Sequence, residues 1–285
     1  MLERRVGAPH DRFVAERRGD PTLDPDTRLS KQMSEPRLIH CHLNRRIRWH
    51  AAPINPQRLT PELYERSVDV SDEGEIEGLE PELWAMQVGF LFDRVHASRV
   101  GRVLISGVRR ETIVYHGTSN QTFPDTLHGQ MPEEAHRLAR TTGAPAVMFL
   151  DLRRGPHRSV TGLPRNHEVS LAHELAHAVH VTWGCYAGSP YAAEDIERFH
   201  SPSPEETGAW IMENMFRVER RLPARRTYLG DAPLPPGEMP SDRTTGIPLA
   251  AAERTAAARL RRKAPSVAER LRSLPARECP YNPFR

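Results

Sequence analysis

One stretch of this chain has residue types at a spacing that could perform hydrolysis: His173-Glu174-Leu175-Ala176-His177. At about 3.6 residues per helical turn, positions four apart stack on one face, so the two imidazoles can converge on a single ion. Glu174 follows the first histidine, which places its carboxylate beside the ion's open position, where it can take a proton from water. The neighbours Leu171, Ala172, Leu175, Ala176, Ala178 and Val179 are apolar or small, which predicts a mostly buried helix rather than a solvated charged face. Burying two histidines and a glutamate without partners is costly, whereas a metal satisfies all three. Zn2+ is the expected ion, with His173 and His177 as ligands and Glu174 as general base. His180 lies on the same stripe one turn later. Three successive ligands on one straight helix cannot easily surround a tetrahedral ion, so His180 is expected behind the site or in the core.

Two imidazoles and a water leave a tetrahedral zinc one protein ligand short. The compact HExxHxxGxxH arrangement is excluded, because position 180 is His and position 183 is Trp. A distant carboxylate must serve. Glu206 lies twenty-nine residues beyond His177 at the head of the next helical stretch, PEETGAWIMENMFRVERRL, and Glu205 and Glu213 compete with it. In that stretch Trp210, Ile211, Met215, Phe216 and Leu222 supply a core face, while Glu206, Trp210, Glu213 and Arg217 share one side.

The elements that must hold these helices are legible upstream. Pro81 opens a helix whose apolar residues Leu83, Met86, Phe90, Leu91 and Val95 predict the face that packs on the core. VLISGV from Val103 and TIVYHG from Thr112 read as a strand hairpin, and PAVMFLD, ending at Asp151, as a third strand. PEEAHRLARTTG before it reads as a helix stopping at Gly143. The expected fold class is α+β: a zincin-like metalloprotease domain with a small sheet, an active-site HExxH helix and disordered or helical flanks.

The flanks differ from this core. With 285 residues, 26 prolines, 27% charged and 6% aromatic residues, part of the chain lacks the apolar content to order itself. Residues 1–80 are expected to be an Arg- and Pro-rich, largely disordered region, with a short helix from Thr60, an acidic linker from Asp69 to Glu80 and a possible role in translocation. Residues 81–230 form the protease domain, and residues 231–285 a Pro-, Ala- and Arg-rich tail with a solvated helix. His40-Cys41-His42 with His50 is read as a surface or strand-like segment, since alternate residues of an extended chain point to opposite sides. A net charge of +3 implies no nucleic-acid partner. Cys41, Cys185 and Cys279 are odd in number and far apart, which argues against a disulfide framework. No run is long enough to span a bilayer, and charges occupy the N-terminal positions where a signal peptide needs an apolar core. A monomer is expected.

The set HELAHAVH, PEETG, Glu213-Asn214 with Arg217, and Arg225-Arg226-Thr227-Tyr228 resembles the NleD-type effector proteases of plant and animal pathogens. Those are zinc metalloproteases delivered into host cells by type III secretion, and some cleave MAP kinases. The set is also similar to the clostridial neurotoxin light chains, which carry HELxHAxH, an EE…TG segment whose second Glu binds zinc, and an Arg-x-x-Tyr pair facing the substrate. The resemblance covers roughly Gly101 to Tyr228, with PEETG two residues shorter between Glu and Thr than in the light chains. It implies Glu206 as the third ligand, and Arg225 with Tyr228 as catalytic groups that stabilise the oxyanion. It further implies a zinc metalloendopeptidase secreted without a cleavable signal peptide, acting in the host cytoplasm on a protein such as a MAP kinase. An interbacterial protease toxin, or a non-catalytic zinc-binding adaptor, are the rival readings.

Overall fold

The computed structural model describes residues 38–50, 81–117, 119–128, 130–152, 157–158, 164–199, 201–225, 233 and 249–285. All belong to one compact unit, Arg37–Arg285. Its centre is a mixed sheet of five strands in the order β1-β2-β3-β5-β4, where β1 is Leu38–His40, β2 Ile47–His50, β3 Thr112–His116, β4 Gln121–Pro124 and β5 Ala146–Leu150. β2, β3 and β5 run parallel, and the two edge strands pair antiparallel to their neighbours. β6 (His157–Arg158) and β7 (Pro164–Arg165) make a separate small ladder.

The helices are α1 (Pro81–His96), α2 (Arg99–Gly107), α3 (Pro132–Arg140), α4 (His167–Trp183), α5 (Ala193–Phe199), α6 (Pro204–Glu219), α7 (Leu249–Lys263) and α8 (Pro265–Arg272). One sheet face, through Ile47, Trp49, Val114, Met148 and Leu150, joins the helices in the main core, where α4 packs against α6. The opposite face carries a smaller cluster of Ile113, Tyr115, Val147 and Phe149, with Phe123 and Leu127 beside it. The period-two alternation of strand side chains produces this division. The class is therefore α+β, with a small sheet.

Four local expectations are corrected. Residues 103–108 do not form a strand: 103–107 lie in α2 and Val108 follows it as the C-cap, while Ser98 caps the other end by accepting from Gly101 N at 2.8 Å. Val100, Val103, Leu104 and Gly107 recur at helical spacing and are buried, so tertiary packing overrides the β-propensity of Val-Leu-Ile. In α1 the buried stripe is Trp84, Val88, Leu91, Phe92 and Val95, whereas Met86 and Phe90 are exposed. The domain is wider than residues 81–230, because β2 pairs in parallel with β3 and Cys41, Ile47 and Trp49 enter the main core. Likewise α7 and α8 are not a solvated tail. Ala256, Ala257, Leu260, Ala264, Val267, Ala268 and Leu271 are buried in the same core, with α7 against α6 and α8 against α2. Small residues at three- and four-residue spacing let these helices approach closely while their arginines stay outside. The expected helix from Thr60 and the acidic linker to Glu80 fall outside the described residues.

The candidate metal centre

Both helices of the site are set by their ends. Asn166 caps α4 by accepting from Val169 N at 2.9 Å, and Gly184 ends it in the left-handed region at φ 76°. A Cβ at Gly184 would also stand 2.3 Å from Thr141 O, so both backbone conformation and space require glycine. Ser203 caps α6 by accepting from Glu206 N at 3.2 Å, and Pro204 occupies its first turn. Glu205 and Glu206 thus sit in the first turn of α6, where the helix dipole favours negative charge. Gly208, one turn along, lets α6 close on α4: a Cβ there would lie 2.7 Å from His180 Cε1.

Three atoms converge between the helices. His173 Nε2 and His177 Nε2 are 3.1 Å apart, and Glu206 Oε2 is 3.2 Å from the first and 3.4 Å from the second. Ligand atoms bonded at about 2.0–2.1 Å to one tetrahedral zinc lie roughly 3.3–3.4 Å from each other. The triangle therefore has the size that a single ion requires.

The outer nitrogens decide what the inner ones present. His173 Nδ1 donates to Glu213 Oε2 at 3.0 Å, and His177 Nδ1 donates to Glu205 Oε1 at 2.8 Å. A carboxylate only accepts, so each neutral ring carries its hydrogen on Nδ1 and turns a lone pair inward at Nε2. Two imidazole lone pairs and a carboxylate oxygen then point at one another, an arrangement that a proton or a metal cation relieves. The titration behaviour expresses the same demand. Burial opposes charge on His173, but Glu206 and Glu213 outweigh it and raise its pKa to about 9. His177 is likewise raised well above its ordinary value, by Glu206 and Glu205 against burial. Glu206 is held far below the usual carboxylate range, since the two histidines overcome its desolvation.

The competing glutamates occupy other posts. Glu205 Oε1 accepts from both His177 Nδ1 and His180 Nδ1, the latter at 2.7 Å, and its Oε2 accepts from Ala187 N at 2.9 Å. Burial pushes Glu205 up, but these histidines bring its pKa down to about 2. His177, His180 and Glu205 also form a compact group of possible ligands. Hydrogen bonds already account for that group, because His177 turns its other nitrogen to the triangle. Glu213 accepts from His173, from Arg217 Nε at 2.6 Å and from an Arg225 guanidinium nitrogen at 3.4 Å. Its desolvation is overcome mainly by Arg217, so it stays ionised.

Arg225 is buried, and its backbone is fastened to Asn214: Arg225 N donates to Asn214 Oδ1 at 2.7 Å and Asn214 Nδ2 donates to Arg225 O at 2.9 Å. The structure brings His173, Glu174, His177, Glu206 and, through Glu213, Arg225 into one pocket. Tyr228 lies outside the described residues. His40 and His42 are engaged separately, with Arg45 O and Asp93, and do not join a metal group among the described residues.

Glu174 is buried beside the two histidines, and its Oε2 has no hydrogen-bond partner. Burial raises its pKa, while His177, His173 and the Thr122 hydroxyl pull it down. Thr122, on edge strand β4, had no signal in the sequence, because the short segment QTFP carries neither a motif nor a clear period. Asn214 and its backbone clasp were likewise not legible, since they join residues whose contact depends on the turn after α6.

No protein-family description matches the sequence, and no curated protein is similar to it. Among solved structures, the botulinum neurotoxin serotype HA light chain is similar at a TM-score of 0.40 and 11% sequence identity. The match covers 81% of this chain and 61% of that one, so the chain spans less than two thirds of that light chain's length.

Proposed function

We propose that this chain is a zinc-dependent endopeptidase acting on a protein substrate. The observation that carries the reading is the inward-facing triangle of His173 Nε2, His177 Nε2 and Glu206 Oε2, with both Nδ1 hydrogens taken by carboxylates. Zinc held by these three residues would supply a Lewis acid that lowers the pKa of water and polarises a carbonyl.

The chain's own residues supply the rest. Glu174 takes a proton from the attacking water and passes it to the leaving amine nitrogen, a transfer favoured by a carboxylate whose burial has raised its pKa. Glu205 and Glu213 keep the two imidazoles in the tautomer that binds metal. Arg225, with Tyr228, stabilises the developing oxyanion. Among the described residues β4 is an antiparallel edge strand packed against α4, and its outer side offers an extended peptide a backbone to pair with. The resemblance of HELAHAVH and PEETG to secreted effector proteases supports the reading that the activity is exercised in a host cell, on a signalling protein.

A structural zinc site is closed by a fourth protein ligand and has no use for a buried base beside it. The position of Glu174 thus favours catalysis over an inert adaptor. The test is to load purified protein with one zinc, incubate it with host-cell lysate and map new protein N-termini. Glu174→Gln should retain zinc and fold but cut at least about 100-fold more slowly, the scale of a lost general base. Unchanged cleavage by that variant, or an identical set of N-termini without enzyme, would end the proposal.

A further inference from the structure

Thr122 and Glu174 form an unusual pair. Thr122 lies in β4 opposite Met148, on the side of the strand that turns inward, and is 8% exposed; Glu174 is 4% exposed. Thr122 Oγ1 and Glu174 Oε2 are both sealed from solvent, and neither has a completed hydrogen bond. β4 packs directly against α4, the helix that carries Glu174. A buried polar atom without a partner keeps its full desolvation penalty. Here a donor and an acceptor stand unpartnered on a strand and a helix that pack together, and a hydrogen bond between them would satisfy both.

The strand is also pinned. Just beyond β4, Asp125 Oδ1 accepts from Leu127 N at 2.9 Å, its carboxylate holds His128 Nδ1 at 2.8 Å, and His128 Nε2 meets the Tyr115 hydroxyl of β3 at 2.8 Å. This clip fixes β4 from the far face of the sheet, so Thr122 is presented by a braced strand rather than by a loop.

We propose that Thr122 is a positioning residue for Glu174: its Oγ1–H donates to Glu174 Oε2, which stops the carboxylate from rotating and aims the second oxygen at the attacking water. The inference rests on the endopeptidase reading above. In the step, the second oxygen of Glu174 takes one proton from the water as the bond from water oxygen to carbonyl carbon forms. The same proton passes to the amine nitrogen as the carbon–nitrogen bond breaks. Glu174 returns to the carboxylate, and Thr122 keeps its own proton throughout. Because Thr122 belongs to the edge strand, substrate pairing along β4 would set the carboxylate and the scissile bond in one register.

Thr122→Val keeps the shape and removes the hydroxyl, whereas Thr122→Ser keeps the hydroxyl. Both are compared with wild type and Glu174→Gln as zinc-loaded protein of equal metal content and thermal midpoint. Calorimetry with acetohydroxamic acid, a zinc-directed acid that hands its proton to a neighbouring base, gives a readout without turnover. Thr122→Val and Glu174→Gln should each bind it about tenfold more weakly, and Thr122→Ser within about twofold of wild type. On a peptide spanning a mapped cleavage site, Thr122→Val should lower kcat about tenfold with KM unchanged, and serine should restore it. Wild-type hydroxamate affinity in Thr122→Val overturns the proposal. If hydroxamate binding depends on Thr122 while the wild-type protein cuts nothing in lysate, the pairing stands and the endopeptidase reading falls.

Discussion

Glu205 and Glu253 are both sealed from solvent, at 2% exposure each, yet their carboxyls are driven in opposite directions. Glu205, at the head of α6, accepts from two imidazoles and a backbone N–H, and its pKa falls to about 2 despite burial. Glu253, on α7, accepts among the described residues only from the Tyr281 hydroxyl at 3.0 Å, and burial prevails and lifts it to about 7. Burial alone therefore does not decide whether a carboxylate is charged. The number and charge of its donors does. The metal pocket is a place where the fold maintains charge, and the C-terminal clasp is a place where it suppresses charge.

The contrast is sharpest if the pocket's glutamates are removed one at a time. Glu206→Ala should lower zinc affinity most, by more than about 100-fold, because it deletes a ligand rather than a support. Glu205→Ala should lower it by about 10–100-fold, since His177 and His180 lose the acceptor that orients them. Zinc retention in a graded chelator series, at matched stability of the metal-free forms, ranks the two. A reversed order would exchange their roles.

Next in size is the pH dependence of the clasp. Glu253 is raised from 4.5 to about 7, so its contribution to stability is complete below pH 4.5 and is lost as pH rises through about 7. Glu205 has the opposite sign: lowered from 4.5 to about 2, it stabilises fully above pH 4.5 and loses that as pH falls toward 2. Glu253→Gln keeps an acceptor for Tyr281 without a charge to suppress. It should therefore flatten the loss of stability across the window from 4.5 to about 7, by on the order of 3 kcal/mol. Urea titrations on either side of that window measure it, and parallel slopes in variant and wild type would refute it. The smallest effect belongs to Gly208→Ala, which should cost about 1–3 kcal/mol as the added methyl presses on His180. Thermal melts with and without zinc should show a loss in both states.

How much of this was readable beforehand follows the range of the interactions. The α+β class and strands β3 and β5 follow from local signals, the β-branched run TIVYH and the continuous apolar run AVMFL. The approach of His173 to His177 follows from a spacing of four. The choice among Glu205, Glu206 and Glu213 did not follow from spacing, because all three sit on one helix near the same pocket. Only the rotation of α6 against α4, which the contact of Gly208 with His180 permits, gives each carboxylate its partner. Residues 103–107 read as a strand because Val-Leu-Ile favours strands locally, while the helical recurrence of Val100, Val103, Leu104 and Gly107 matters only once neighbours surround them. The Ala-rich face of α7 gives a faint signal for a related reason: alanine is only weakly apolar, yet its small size is what allows burial.

Glu213 has a consequence for the valence of the ion. Around the triangle stand four carboxylates, Glu174, Glu205, Glu206 and Glu213, and two guanidinium groups, Arg217 and Arg225, both reaching Glu213. With the imidazoles neutral and Glu174 ionised, four negative charges against two positive leave a deficit of two. A doubly charged cation brings the pocket to electroneutrality, whereas a singly or triply charged one would leave a net charge in a low-dielectric interior. The arginines on Glu213, far from being spectators, set that count: replacing either by a neutral residue would leave a divalent ion one charge short of neutralising its own cage.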